Sequence, residues 1–134
     1  MNKSKKYYFE LQARGNELDS YGHVNNAVYL NYTEQGRWEL FREIDLLDEI
    51  IASGKKIVIV ENTIKYIRQV KLFDEIIVES QMEKSAHFLL FRQMMVHKKT
   101  GKTVAKAVAK TVFLDESNKP CDIPESLLKI LTEE

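Results

Sequence analysis

Residues 19–44 read DSYGHVNNAVYLNYTEQGRWELFREI, a polar loop that leads into one long amphipathic segment. Within that segment bulky side chains and one glycine recur at spacings of three and four: Tyr29, Tyr32, Gly36 and Leu40. This recurrence is typical of one buried helical face, so we expect a helix over residues 26–44. Asn25 or Asn26 is suited to cap its N-terminus. Gly36 lowers helix propensity but permits another element to pack closely.

The segments around this helix have the pattern of β-strands. Residues 6–14 carry apolar side chains at every second position, as in a strand with one polar face. After a polar turn at residues 52–55, β-branched runs predict four long strands, at about residues 56–68, 73–83, 87–97 and 102–114. The polar joint between the last two contains a late glycine, which favours an antiparallel hairpin. Residues 124–131 then suit a short terminal helix.

The resulting order is one strand, one long helix and four antiparallel strands in a meander. This is an α+β arrangement, and it lacks the βαβ alternation of a nucleotide-binding parallel sheet. In the last strand the alternate positions are small: Ala105, Ala107, Ala109 and Thr111. Because such a face allows another element to approach closely, we expect the long helix to lie against this sheet.

The composition is that of a globular chain with a substantial core. The chain has 134 residues, of which 44% are hydrophobic, and its 20 basic side chains balance 20 acidic ones. The composition does not shift along the chain, so we expect one domain over residues 1–134. Its longest apolar runs are only a few residues, which excludes a membrane-spanning helix. The balanced charge argues against a nucleic-acid partner.

The cysteine and histidine content and the absence of common motifs limit the compartments and the enzyme classes to be considered. Cys121 is the single cysteine and cannot form a disulfide within the chain, which favours a reducing compartment. No secretory signal pattern follows the basic start, so we expect a cytoplasmic protein. The common signatures of serine hydrolases, P-loop NTPases, dinucleotide enzymes and zinc peptidases do not occur. His23, His87 and His97 are far apart in the sequence, so neither a metal nor another cofactor is expected.

The loop before the helix contains the parts that acyl transfer requires. The carboxyl group of Asp19 precedes the helix start by a few residues. Free N–H groups and the helix dipole at such a start stabilise a developing oxyanion, and the carboxylate can act as base or nucleophile. Gly22 permits a positive φ or a close approach of the backbone to a ligand. These residue types are also common in loops and caps, so a purely structural role stays open on this pattern alone.

Residues 19–37 resemble the D-x-x-G-H-V-N-N-x-x-Y-x-x-Y-x-E-x-x-R signature of hotdog-fold acyl-CoA thioesterases, in the 4-hydroxybenzoyl-CoA thioesterase-like family. The similarity continues through residues 66–68 and 73–75 to the hairpin and the alanine-rich last strand, and thus covers nearly the whole chain. It implies a hotdog fold, in which a curved antiparallel sheet wraps around one long helix. It also implies an acyl-CoA substrate that is hydrolysed to a carboxylic acid and coenzyme A.

The resemblance further implies catalytic roles. Asp19 matches the family's catalytic carboxylate, which acts as nucleophile or as general base for water. Asn26 matches the position whose backbone N–H polarises the thioester carbonyl. Some hotdog thioesterases use a carboxylate on the helix instead, so Glu34 is the alternative catalytic residue. Otherwise Glu34 is expected to pair with Arg37 or Arg68.

Other residues of the same region are expected to contact the substrate. His23 and Asn25 lie in the catalytic loop and are candidates to orient water or the carboxylate. The expected substrate-binding residues are Gly22, Val24, Asn25, Tyr29 and Arg68, although a tyrosine on a helical stripe is more often a core residue than a ligand contact. The phosphates of coenzyme A are expected near basic side chains, for which the candidates are Lys55, Lys56, Lys65, Arg68 and Lys71.

The resemblance also predicts the assembly. Family members bury sheet edges in dimers and often tetramers with active sites between subunits, so we expect a homodimer or a homotetramer. Two other functions stay open, namely a module that binds acyl thioesters without cleaving them and a hydrolase of acyl groups on acyl carrier protein. A carrier-protein partner would favour a basic patch, against which the neutral charge argues mildly. A dehydratase of the same fold would use a histidine in a different motif from the one around His23.

Overall fold

The computed structural model describes residues 2–132, so Met1 and residues 133–134 of the expected domain lie outside the described part. Its elements follow the predicted order with three short additions, namely a 3₁₀ turn (Gly15–Glu17), a six-residue helix and a two-residue strand. In chain order they are β1 (Lys3–Gln12), α1 (Asn26–Ile44), α2 (Leu47–Ala52), β2 (Lys56–Tyr66), β3 (Glu75–Ser85), β4 (Phe88–His97), β5 (Thr103–Leu114), β6 (Pro120–Cys121) and α3 (Glu125–Thr132).

All strands belong to one antiparallel sheet in the order β1-β3-β4-β5-β2, with β6 paired to the end of β5. The predicted hairpin between the last two long strands is confirmed as β4 and β5. The predicted four-strand meander is wrong at its first strand, because β2 pairs with β5 and not with β3. The eight residues that connect β2 to β3 are too many for a tight hairpin and carry the chain to the far edge. The two edges of the main sheet are therefore β1 and β2.

Helix α1 has the predicted bounds and the predicted buried face. Asn25 is the N-cap, and its side-chain oxygen accepts a hydrogen bond from the N–H of Ala27. Asp45 ends the helix in the left-handed conformation, with φ of 58°. The four residues of the predicted stripe are all buried: Tyr29, Tyr32, Gly36 and Leu40. This curved antiparallel sheet with one long helix against it is the hotdog fold.

The core divides into two clusters along α1. The cluster at its C-terminal half includes Leu40 and Phe41 and is closed by Ile50 of α2 and by Leu127 of α3. The cluster at its N-terminal half surrounds the loop that enters the helix, and its buried members include Val24, Tyr29, Tyr32, Val70, Ile76, Val78, Met95 and Ala105. The second cluster anchors the polar loop at residues 18–24.

The sequence patterns missed the smallest elements. Helix α2 has six residues, which is too short for a helical period to be recognised, and β6 has two. Strand β1 begins three residues earlier and ends two residues earlier than expected. Within residues 2–132 no helix is both long and apolar enough to cross a lipid bilayer. Over the same residues no cluster of three histidine, cysteine or acidic side chains has the geometry of a metal site.

Candidate active site

The segment at residues 18–24 forms a small hairpin whose backbone hydrogen bonds place Asp19. Leu18 and Val24 form a bridge at its base. The N–H of Asp19 donates to the carbonyl oxygen of His23 at 2.7 Å, and its own carbonyl accepts from Gly22 at 3.2 Å. Gly22 has φ of +80°, so the positive φ anticipated for this glycine is present. The hairpin turns so tightly because a residue without a side chain occupies this position.

The carboxylate of Asp19 is held by this same loop. Its Oδ1 accepts hydrogen bonds from the N–H of Tyr21 at 2.9 Å and from the N–H of His23 at 3.2 Å. No hydrogen bond to Oδ2 is found among residues 2–132, and the residue is exposed to solvent. One oxygen thus orients the side chain, while the other is free to bind water or a ligand.

The start of α1 follows directly and offers a hydrogen-bond donor. The side chain of Asn25 accepts from Ala27 at 3.0 Å and its carbonyl oxygen accepts from the N–H of Val28 at 2.9 Å. For the N–H of Asn26 we find no acceptor in the described part of the chain. The first N–H groups of a helix have no partner within it and lie at the positive end of its dipole. This donor is therefore suited to a carbonyl oxygen that gains negative charge.

Aromatic residues join the start of α1 to the end of β2. The hydroxyl of Tyr66 donates to the carbonyl oxygen of Asn26 at 3.2 Å, and that of Tyr29 donates to the carbonyl oxygen of Arg68 at the same distance. The rings of Tyr29 and Tyr66 meet edge to face with centroids 5.2 Å apart. Burial raises the pKa of Tyr29, which keeps its phenol a neutral donor. The guanidinium of Arg68 donates to the carbonyl oxygen of Thr103 at 2.6 Å.

A third segment, residues 69–74, lies along the hairpin. The N–H of Val24 donates to the carbonyl oxygen of Val70 at 2.8 Å, and His23 forms a bridge with Lys71. Val24 is only 3% exposed, so its side chain belongs to the core, as does that of Tyr29. Substrate contact by these two residues stays a prediction. Lys71 is exposed beside His23, which brings one of the predicted phosphate-binding cations to the site.

Glu34 lies apart from this cluster within one chain. It follows Asn26 by eight residues, which corresponds to about 12 Å along the axis of α1. It has no ion pair with Arg37 or Arg68 in the described part of the chain, and its Oε2 accepts a hydrogen bond from Nε1 of Trp38 at 3.5 Å. Burial lowers the pKa of the Arg37 guanidinium, and the negative charge of Glu34 partly offsets this decrease. The pairing of Glu34 with Arg37 is thus electrostatic, without a salt-bridge contact.

Glu34 and Arg37 line an apolar cavity of about 560 Å³ between α1, α2 and β2. The remaining walls are largely hydrophobic and are formed by Trp38, Phe41, Leu47, Ile50, Ile51, Lys55, Ile57, Val58, Ile59, Phe91 and Thr111. The sequence patterns did not identify this cavity, because α2 was not predicted. Of the other basic residues, Lys55 lies at this cavity, Lys56 donates to Asn118 and Lys65 is exposed on β2.

One carboxylate near the site was not identified from the sequence. Glu17, two residues before Asp19, is 8% exposed and ends a short 3₁₀ turn. Its Oε1 accepts hydrogen bonds from the N–H of Arg14 at 2.8 Å and from the hydroxyl of Tyr32 at 2.7 Å, and its Oε2 accepts from the Arg14 guanidinium at 2.9 Å. The spacing of Arg14 and Glu17 by three residues was the signal in the sequence that points to this pairing.

The structure thus joins most of the predicted site residues into one contiguous network. The hairpin and the first turn of α1 hold Asp19, Gly22, His23, Asn25, Asn26 and Tyr29, and the segment after β2 brings the backbone of Arg68 against Tyr29. Glu34 is the member that lies elsewhere. The catalytic and substrate-binding roles of all of these residues stay predictions.

Known proteins resemble this chain over most of its length. It is 32% identical to the acyl-acyl carrier protein thioesterase ATL3 of Arabidopsis thaliana, over 92% of this chain and 66% of ATL3, so it spans slightly less than two thirds of that relative. It is 31% identical to the long-chain acyl-CoA thioesterase FadM of Escherichia coli (strain K12), over 79% of this chain and 81% of FadM. The crystal structure of YbaW, a probable thioesterase from Escherichia coli, matches with a TM-score of 0.84 and 27% identity, over 93% of this chain and 98% of that chain.

The family model described as the thioesterase-like superfamily matches residues 13–131. The matched region includes the hairpin, α1, all of the sheet except β1 and most of α3. On this match and on the relatives that share about a third of its residues, the chain belongs to the thioesterase-like superfamily.

Proposed function

We propose that the protein is a thioesterase that hydrolyses acyl-CoA to a free carboxylic acid and coenzyme A. The observation that supports this function most directly is the position of Asp19. Its carboxylate is oriented by two backbone N–H groups of the hairpin, and the same hairpin leads into the N–H of Asn26, for which residues 2–132 provide no acceptor. A base or nucleophile next to an oxyanion donor is the minimum that thioester hydrolysis requires, since a thiolate is a good leaving group.

In the proposed reaction the thioester carbonyl oxygen accepts a hydrogen bond from the N–H of Asn26. Asp19 removes a proton from water as the water oxygen bonds to the carbonyl carbon, and the charge on the former carbonyl oxygen is stabilised at the helix start. The C–S bond then breaks, and the proton held by Asp19 passes to the departing thiolate. Alternatively, Asp19 attacks the carbonyl carbon itself, the C–S bond breaks and the thiolate departs; water then hydrolyses the resulting anhydride, which restores the Asp19 carboxylate and supplies the proton that the thiolate takes up. Both routes depend on the same carboxylate.

The apolar cavity supports a long acyl chain as the preferred substituent. Its volume of about 560 Å³ and its hydrophobic lining suit a flexible alkyl group better than a short acyl group. The relative FadM is named a long-chain acyl-CoA thioesterase, which agrees with this preference. Glu34 would lie at the wall of this acyl site, where it is the alternative catalytic carboxylate.

A two-fold dimer formed through β2 accounts for the separation between Asp19 and this cavity. Antiparallel pairing of two β2 strands brings the Tyr66 end of one strand to the Lys56 end of the other. Because the site at Asp19 adjoins Tyr66 and the cavity adjoins residues 57–59, each site would then meet the cavity of the partner. We therefore propose a homodimer, or a homotetramer built from such dimers, of one-domain subunits that span residues 1–134. We propose the cytoplasm as their location.

Acyl groups on acyl carrier protein are the second candidate substrates. The relative ATL3, 32% identical to this chain, is named an acyl-acyl carrier protein thioesterase. The bond that breaks and the residues that act would be the same, so only the carrier of the thioester differs. A module that binds acyl thioesters without cleaving them is the remaining alternative.

The deciding experiment measures thiol release from acetyl, medium-chain, long-chain, benzoyl and phenylacetyl-CoA, and from long-chain acyl carrier protein. Wild type, Asp19→Asn and the control Asp122→Asn, an exposed acid remote from the hairpin in sequence, are compared. We expect wild type and the control to be most active on long chains, and the Asp19 variant to lose at least about 100-fold in kcat. Normal activity of the Asp19 variant would exclude its catalytic role. Binding of acyl-CoA without release of thiol from any substrate would favour the binding module.

A further inference from the structure

Glu17 is a buried carboxylate whose contacts reach both sides of the proposed catalytic hairpin. Its side chain accepts from Tyr32 on α1, and its backbone carbonyl oxygen accepts from the N–H of Asn25 at 2.9 Å. Asn25 and Tyr32 are seven residues apart, which is about two turns or 10 Å of helix. Glu17 therefore connects the base of the hairpin to α1 through two hydrogen bonds, one at the N-cap and one about two turns further along the helix.

These contacts leave Glu17 little freedom. The hydrogen bonds described above engage both carboxylate oxygens, and Tyr32 is itself 5% exposed and packed within the core. Burial alone would raise the pKa of Glu17, but hydrogen bonds from Arg14 and Tyr32 outweigh it and hold the pKa below its usual value. The group is thus a fixed anion at neutral pH.

The position of Glu17 determines the geometry of the residues that follow it. Asp19 comes two residues later on one arm of the hairpin. At the end of the other arm, Asn25 is hydrogen-bonded to Glu17 and directly precedes Asn26. A displacement of Glu17 would move both arms, and with them the carboxylate and the oxyanion donor. Errors of about 1 Å in such a geometry can cost about 100-fold in rate.

We propose that Glu17 is a positioning residue, which through Tyr32 and the backbone of Asn25 fixes the carboxylate of Asp19 relative to the N–H of Asn26. This inference rests on the proposed thioesterase function. Glu17 does not touch the substrate and exchanges no proton in the reaction. Its effect is exerted through Asp19.

The first test compares Glu17→Gln and Tyr32→Phe with wild type, using the best substrate of the thiol-release panel. Tyr32→Phe keeps the ring in the core and removes only the hydroxyl that binds Glu17. We expect Glu17→Gln to lower kcat by about 10- to 100-fold with KM changed less than about two-fold, and Tyr32→Phe to lower kcat less. Ser4→Ala is the matched control, since it removes a buried hydroxyl that accepts from the N–H of Met82 in another part of the sheet. It is expected to retain the wild-type kcat.

The second test separates positioning from general destabilisation. In an Asp19→Asn background, Glu17→Gln should cause little further loss, because its effect requires the Asp19 carboxylate. The inference is overturned if both single variants keep the wild-type kcat, if Ser4→Ala lowers kcat equally, or if Glu17→Gln lowers the residual activity of Asp19→Asn by its full factor.

A structural measurement decides the proposal even if wild type cleaves no thioester. Amide hydrogen exchange of the peptide covering residues 18–26 should be faster in Glu17→Gln than in wild type, and unchanged in Ser4→Ala. An inactive wild type with this local change would refute the proposed function while retaining the anchoring by Glu17. Unchanged exchange in Glu17→Gln would refute the anchoring itself.

Discussion

Helix α1 lies so close to β3 that a Cβ atom at Gly36 would be 2.7 Å from Cγ1 of Val78. The same Cβ would lie 3.0 Å from Nε2 of Gln93, an atom that donates to the carbonyl oxygen of Thr33 at 2.8 Å and to Ser80 at 2.9 Å. The amide therefore cannot move without breaking buried hydrogen bonds. This tight contact is made over β3 and β4, and not over the alanines of β5 that were expected to permit it.

Gly36→Ala is expected to destabilise the protein in spite of the higher helix propensity of alanine. Overpacking costs about 1–3 kcal/mol, whereas the gain in propensity is at most about 1 kcal/mol. We expect a net loss of up to about 2 kcal/mol in the free energy of unfolding, measured by urea denaturation. Gln35→Ala, at the exposed neighbouring position, should change it by less than about 0.5 kcal/mol. Equal or greater stability of Gly36→Ala would show that the sheet can adjust.

Glu34→Gln is expected to be far less harmful than Asp19→Asn. Glu34 lies at the apolar cavity and beside Arg37, whereas Asp19 lies beside the N–H donor at the helix start. We expect kcat of Glu34→Gln to fall by less than about 10-fold, with any larger effect appearing in KM for long-chain substrates. The reverse ranking of the two variants would make Glu34 the catalytic carboxylate and Asp19 a loop residue.

The free edge of β2 should form the subunit interface. Val60 on this edge is 53% exposed, and a lysine on an edge strand opposes pairing with another strand. We expect Val60→Lys to sediment as a monomer and to lose activity, because each site would lack the partner's cavity. The control is Tyr8→Lys on the opposite edge strand β1, where the side chain is 61% exposed and the assembly should not change. A wild-type protein that sediments as a monomer would contradict the proposed dimer.

Glu17 should stabilise the fold at neutral pH and lose this effect in acid. Its folded pKa is lowered because hydrogen bonds from Arg14 and Tyr32 outweigh the opposing effect of burial, whereas an unfolded glutamate has a pKa of about 4.3. The stabilisation is therefore present above about pH 4.3 and is lost as the pH falls through the folded pKa.

Urea denaturation of wild type and Glu17→Gln between neutral pH and about pH 3 measures this effect. The difference between their free energies of unfolding should be constant near neutral pH and shrink in acid. Other carboxylates of lowered pKa, such as Glu83 beside Arg92, contribute equally to the pH dependence of both proteins. Their contribution therefore cancels in the difference. A difference that grows as the pH falls would mean that Glu17 is protonated in the folded state.

The sequence by itself determined the elements whose signals are local. The bounds of α1, its N-cap at Asn25 and its buried stripe follow from helical spacing and from the side-chain chemistry of capping. The contacts that hold Asp19 are equally local, since they join residues 19–23, and the positive φ of Gly22 belongs to the same short hairpin. These contacts join residues close in sequence, whereas the position of the hairpin relative to α1 depends on the long-range contacts of Glu17 and Val24.

Only the tertiary structure decided which distant segments meet. The pairing of β2 with β5 leaves β2 at an edge, brings Tyr66 and Arg68 to the start of α1, and forms the apolar cavity together with the unpredicted α2. The burial of Glu17 likewise depends on Tyr32, fifteen residues away. Strand patterns show which side chains can be buried, but they carry no information on the partner strand, because backbone hydrogen bonding is the same for every pairing.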